Sequence, residues 1–138
     1  MTDLETVLYT GKSHTLGGQM APAAARMAGL TSSCRLVAAP APAPTPEQLF
    51  AAGWSACFVG AMGRVACSMK IALPGDVAVD AEVDLGTSGD QFLLRACLNV
   101  SLPGLERDVA RAITEAAHQV CPYSKATRGN IDVTINLI

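Results

Sequence analysis

A chain of 138 residues, half of them hydrophobic but only 4% aromatic, suffices for one ordinary domain with a core of Ala, Val, Leu and Ile. Its formal charge of -2, with no cluster of Lys or Arg, offers no electrostatic footprint for nucleic acid or an anionic membrane surface. No uninterrupted run approaches the roughly 20 apolar residues of a bilayer span, and no basic stretch leads into an apolar core at the N-terminus. The five cysteines form an odd set without close pairing, which suits reduced thiols, so a cytoplasmic protein is expected, any disulfide being catalytic and transient.

Residues 4–14 and 30–37 read as short β-like stretches, separated by Gly17-Gly18-Gln19-Met20-Ala21-Pro22, a turn into a loop. Residues 38–44, Ala-Ala-Pro-Ala-Pro-Ala-Pro, cannot be helical, because each proline removes a backbone donor and disfavours helical geometry in the residue before it. They form a stiff, extended connection. A helix then starts sharply: Thr45 suits the N-cap, Pro46 the first helical position, and Gln48 the capping-box partner. It is expected to run to about Lys70. Small residues crowd it, among them Ala52, Gly53, Ser55, Gly60 and Gly63, and glycines cost helix propensity unless another element must come close. This marks a central, buried helix.

After Pro74-Gly75 the pattern changes to period two, with Val77, Val79, Ala81, Val83 and Leu85, then Phe92, Leu94, Ala96, Leu98, Val100 and Leu102, alternating with other residues. These predict two antiparallel strands joined through residues 86–90. Val109, Ile113, Ala116, Ala117 and Val120 recur at helical spacing up to a stop at Cys121-Pro122, and Ile131, Val133, Ile135 and Leu137 define a final strand. Segregated strands and helices, without a repeat, predict a single α+β domain spanning residues 1–138.

Cys57 and Cys121 lie in different settings. Cys57 falls mid-helix among apolar residues, which raises a thiol's pKa and by position describes an inert core residue. Cys121 falls at a helix C-terminus, where the negative end of the macrodipole opposes a thiolate. His118 and Cys121, three residues apart, are half of a zinc site with Cys57 as a third ligand, but no fourth ligand is evident and no metal is expected. Cys34, Cys67 and Cys97 stand in no motif and read as structural.

The segment Thr45-Pro46-Glu47-Gln48-Leu49-Phe50-Ala51-Ala52-Gly53-Trp54-Ser55-Ala56-Cys57-Phe58, with His118-Gln119-Val120-Cys121-Pro122-Tyr123-Ser124 and Ala126-Thr127-Arg128-Gly129-Asn130-Ile131-Asp132-Val133, resembles the organic hydroperoxide resistance proteins of the OsmC/Ohr family. The likeness covers nearly the whole chain and is weak only over residues 21–44. It implies an α+β intertwined homodimer, with two central helices per chain enclosed by antiparallel β-sheets. It also implies a cysteine-based peroxidase that reduces alkyl or fatty-acid hydroperoxides to alcohols without metal, haem or flavin. Cys57 would be the peroxidatic thiol that becomes a sulfenic acid, and Cys121 the resolving thiol that closes a disulfide. A dithiol would reset it, in this family the lipoyl group of a lipoylated protein.

Glu47 matches a family glutamate that salt-bridges an arginine facing the reactive sulfur. Ten residues along a straight helix is about 15 Å, so Glu47 cannot touch Cys57 of its own chain, and a site shared across the homodimer is expected. Its other reading is an acid in the first helical turn. The family arginine follows a Gly-Gly pair, where this chain has Gln19, which donates a hydrogen bond but carries no charge. Arg26 and Arg128 are the candidate substitutes. Phe50, Trp54, Phe58 and Tyr123, with Met62, read either as an apolar substrate pocket or as core. If activation is lost with the arginine, the alternative function is a non-catalytic, redox-responsive or hydrophobic-ligand-binding member of the same fold.

Overall fold

The alternating segments form β1 (Thr6–Gly17), β2 (Cys34–Val37), β3 (Val77–Ser88), β4 (Gln91–Ser101) and β5 (Asp132–Leu137), and the helices are α1 (Pro46–Ser68), α2 (Arg107–Val120) and α3 (Pro122–Thr127). The structure, a computed structural model, describes residues 3–17, 34–37 and 44–138, and the backbone only for 34–37. The five strands make one sheet in the order β2-β1-β3-β4-β5. The first three pairings are antiparallel, that of β3 with β4 as expected, whereas β5 runs parallel to β4. A parallel neighbour requires a crossover connection, and α2 and α3 supply it.

Thr45 caps α1 as its residue type predicts. Its hydroxyl accepts from the Gln48 amide at 3.2 Å, and the Gln48 side chain accepts from the Thr45 amide at 3.1 Å. The helix stops at Ser68 because Lys70 takes a left-handed φ of 58°, with the amides of Lys70 and Ile71 closing on the carbonyls of Cys67 and Ala66. α1 is long and apolar enough to cross a membrane by length and composition, which a count of uninterrupted apolar residues did not show. Half of that span is buried inside the fold.

Trp54, Phe58 and Met62 of α1 are fully buried against Val79, Val83, Leu98 and Val100 of the sheet and Ile113 and Ala117 of α2. Burying a side chain of this size contributes about 1.5–3 kcal/mol, so this one cluster joins all the layers. Glycines let β1 approach the helix. A Cβ on Gly11 would stand 2.7 Å from the Gln48 nitrogen and from Glu47 Cβ, and one on Gly17 would collide with Val59.

One expected boundary is corrected, and one acquires a sequel. The hairpin between β3 and β4 is not the five-residue link through Gly86: pairing continues to Ser88 and Gln91, leaving Gly89 and Asp90 as the turn, with Gly89 at φ 56°. Gly86 is a strand residue whose missing side chain admits the Thr6 carbonyl and Leu4. The expected stop at Cys121-Pro122 is where α2 ends, with Cys121 as its C-cap, but a further short helix follows it. Proline at the first helical position starts a helix as readily as it ends one, and α3 begins there after Cys121 turns to an extended conformation (φ -63°, ψ 122°).

Candidate active site

One face of α1 presents Phe50, Gly53, Trp54 and Cys57 at the i, i+3, i+4, i+7 spacing, and the start of α3 packs on that face. The indole nitrogen of Trp54 donates to the Ser124 hydroxyl at 3.3 Å, and both side chains are buried. Phe50 meets Trp54 edge-on at 5.6 Å between centroids and Tyr123 at 6.4 Å. The Tyr123 ring occupies the space that a side chain on Gly53 would take. These contacts anchor α3 one turn before Cys57, and they deliver the residue that precedes it.

That residue is Cys121, fully buried, whose sulfur lies 3.2 Å from the sulfur of half-buried Cys57. A disulfide bond is about 2.05 Å, so these are two free thiols in contact, one movement short of bonding. Burial is the main influence on Cys57, pushing its pKa up to about 11; the backbone of Tyr123 opposes this, and the Cys121 thiol adds to it. No cation acts on Cys57 among the described residues.

Cys57, Gly60, Ala61, Arg64, Val120 and Pro122 line a depression of about 250 Å³ beside the two sulfurs. The aromatic residues singled out from sequence do not line it. Trp54 and Phe58 are fully buried in the core, while Phe50 and Tyr123 form their ring cluster toward the N-terminal side of Cys57. Sequence reasoning missed Gly60, Ala61 and Arg64, although they recur at the helical spacing from Cys57 that would have found them.

Glu47 sits in the first turn of α1 against Gly11, ten residues from Cys57 on one unbroken helix and so about 15 Å along its axis. It has no ion pair among the described residues. Gln19 and Arg26 lie outside the described residues, though β1 ends at Gly17 against Val59, two positions beyond Cys57. Arg128 donates to the His118 carbonyl at 2.8 Å and is not among the groups acting on Cys57. Burial and the nearby Arg128 charge lower the His118 pKa, and its Nδ1 is buried without a hydrogen-bond partner. Among the described residues no three His, Cys, Asp or Glu side chains converge as a metal site.

The family profile described as OsmC-like protein matches residues 39–136. The chain belongs to the OsmC/Ohr family, in its organic hydroperoxide resistance (Ohr) branch. It is 43% identical over 141 residues to an organic hydroperoxide resistance protein of Xanthomonas axonopodis pv. citri, the match covering 99% of each chain. Among solved structures, OhrB of Bacillus subtilis, an organic hydroperoxide resistance protein, superposes with a TM-score of 0.68 at 38% identity, over 75% of this chain and 81% of that one. A second, the organic hydroperoxide resistance protein OsmC of Legionella pneumophila, gives 0.66 at 44% identity over 71% and 72%. Named Ohr relatives thus place this chain in a family associated with organic hydroperoxide resistance, on the α+β fold of that family.

Proposed function

We propose that this Ohr chain is a thiol peroxidase that reduces organic hydroperoxides to alcohols. The observation that carries the reading is the 3.2 Å contact between Cys57 and Cys121, at the edge of an open depression. The Cys57 thiolate attacks the outer peroxide oxygen; the O–O bond breaks, Cys57 becomes a sulfenic acid, and the departing alkoxide takes a proton to leave as alcohol. The Cys121 thiol then attacks the sulfenic sulfur, forming the disulfide and releasing water. An external dithiol, by family likeness a lipoyl group on a protein, reduces the disulfide by exchange and restores both thiols.

The half-buried position of Cys57 and the full burial of Cys121 support this division of roles, since the thiol that meets substrate must be the accessible one. The functional unit in this reading is a cytoplasmic homodimer, in which Glu47 of one protomer serves the Cys57 of the other. The separation of Glu47 and Cys57 along α1 supports that sharing.

A second reading has an observation of its own. Burial pushes the Cys57 pKa up to about 11, so only about one thiol in ten thousand is ionised at pH 7; this slows attack on peroxide and argues against fast turnover, and a redox-responsive protein that oxidises slowly and once has no need of such turnover. Repeated consumption of cumene hydroperoxide with dihydrolipoamide, abolished by Cys57→Ser, is the result expected of the peroxidase. Oxidation that stops after one equivalent would establish the second reading instead.

A further inference from the structure

The depression beside Cys57 has two chemically different ends. Cys57, Gly60, Ala61 and Arg64 follow one another on a single face of α1, and the helix carries Arg64 seven residues, about 10 Å, beyond the thiol. Between them the floor is small and open: a Cβ at Gly60 would meet nothing within 4 Å among the described residues. Val120 and Pro122, on either side of Cys121, make the flanking wall apolar.

Arg64 is also uncommitted. Arg95 is bound to Asp84, Arg107 reaches the Leu137 carbonyl, and Arg128 reaches that of His118, whereas exposed Arg64, like Arg111 on the far helix, has no hydrogen-bond or ion-pair partner among the described residues. Arg64 lines the same depression as Cys57, with Gly60 and Ala61 between the two on the helix face. It is nevertheless not among the groups acting on Cys57, which places it at the substrate's remote end and not at the sulfur.

We propose that Arg64 is a specificity-determining residue, which binds the anionic group of a hydroperoxide whose O–O bond lies at Cys57. The preferred substrates are then hydroperoxides with a carboxylate within about 10 Å of the peroxide along an apolar chain, in preference to their neutral counterparts. A guanidinium holds a carboxylate by two parallel charge-assisted hydrogen bonds, which a neutral ester cannot match. The inference rests on the peroxidase reading for its chemistry, but the binding it describes is separable from turnover.

The test compares kcat/KM for the 9-hydroperoxide of linoleic acid, the regioisomer with its peroxide nearer the carboxylate, with that for its methyl ester, in the native protein, Arg64→Gln and Arg64→Lys. The ratio of acid to ester cancels any general change in thiol reactivity. It is expected to be about tenfold or more in the native protein, the worth of one charge-assisted contact, to fall to about one in Arg64→Gln, and to survive in part in Arg64→Lys. A native ratio near one, or a ratio unchanged in Arg64→Gln, overturns the proposal. So does an Arg64→Gln variant that slows acid and ester alike, because that would place Arg64 in thiol activation. Should neither substrate turn over, the peroxidase reading fails on its own, and binding decides the role of Arg64. Cys57→Ser protein should then bind dodecanoate about tenfold or more tightly than methyl dodecanoate, and the added Arg64→Gln change should remove the difference; equal affinities would reject the role.

Discussion

Tyr123 lies against the bare Cα of Gly53, its ring carbon Cε2 3.3 Å from where a Cβ would stand and its hydroxyl 3.4 Å. Because α3 starts one residue earlier, this contact controls how closely Cys121 approaches Cys57. Alanine at position 53 demands a shift of only a few tenths of an ångström, but valine must displace the ring. Gly53→Val is therefore expected to slow closure of the Cys57–Cys121 disulfide by about tenfold or more, and Gly53→Ala much less. Thiol loss followed by mass spectrometry after one equivalent of hydroperoxide measures this; an unaltered rate in Gly53→Val would mean that the ring does not set the sulfur distance.

The unequal burial of the two thiols predicts unequal intermediates. In Cys121→Ser the Cys57 sulfenic acid has no resolving partner and should persist long enough to be trapped by dimedone, as a single labelled site. Cys57→Ser should give no adduct at Cys121, which is buried. Labelling of Cys121 in Cys57→Ser at a comparable rate would reverse the assigned roles.

The raised pKa of Cys57 has a definite sign. Burial disfavours the thiolate, so the reactive fraction is small at neutral pH and grows about tenfold per pH unit until pH approaches about 11. Alkylation of Cys57 by iodoacetamide should climb steadily from pH 7 to 9 in the native protein. In Gln19→Arg, where a guanidinium follows the end of β1 at Gly17, the profile should level off at lower pH and hydroperoxide turnover should rise. A plateau below pH 8 in the native protein would show that a charge already activates the thiol.

The distance between Glu47 and Cys57 along α1 can be tested by complementation. If each site takes Glu47 from the partner protomer, Glu47→Ala and Cys57→Ser chains are each impaired alone. Refolding them together should restore activity, because one site of every mixed dimer then combines two native residues. Failure of the mixture to exceed the sum of its parts, with mixed dimers verified by mass spectrometry, counts against a shared site.

Local signals were legible where the physics is local. The capping box at Thr45 and Gln48 needs only three residues, and the alternation of Val77, Val79, Ala81 and Val83 shows directly which side chains face the core. The division into α+β followed from those periods, and the cysteine-bearing segments carried the family likeness. The same signals were silent about partners. Ile135 and Leu137 alternate identically whether their strand runs parallel or antiparallel to β4, because the alternation specifies a face and not a neighbour. Cys121-Pro122 reads correctly as the stop of α2, but nothing local announces α3, whose Tyr123 and Ser124 find their seats on α1.

By itself, then, the sequence determined the two thiols and the helix that bears Cys57, since each is a matter of residue identity and near-neighbour spacing. Tertiary structure alone decided that the sulfurs touch, that Trp54 and Phe58 are core instead of pocket, and that the open side of Cys57 faces Gly60 and Arg64. The reason is geometric. A helix offers every residue a direction, but only the packing of the sheet, α2 and α3 around it determines which directions are filled and which remain open.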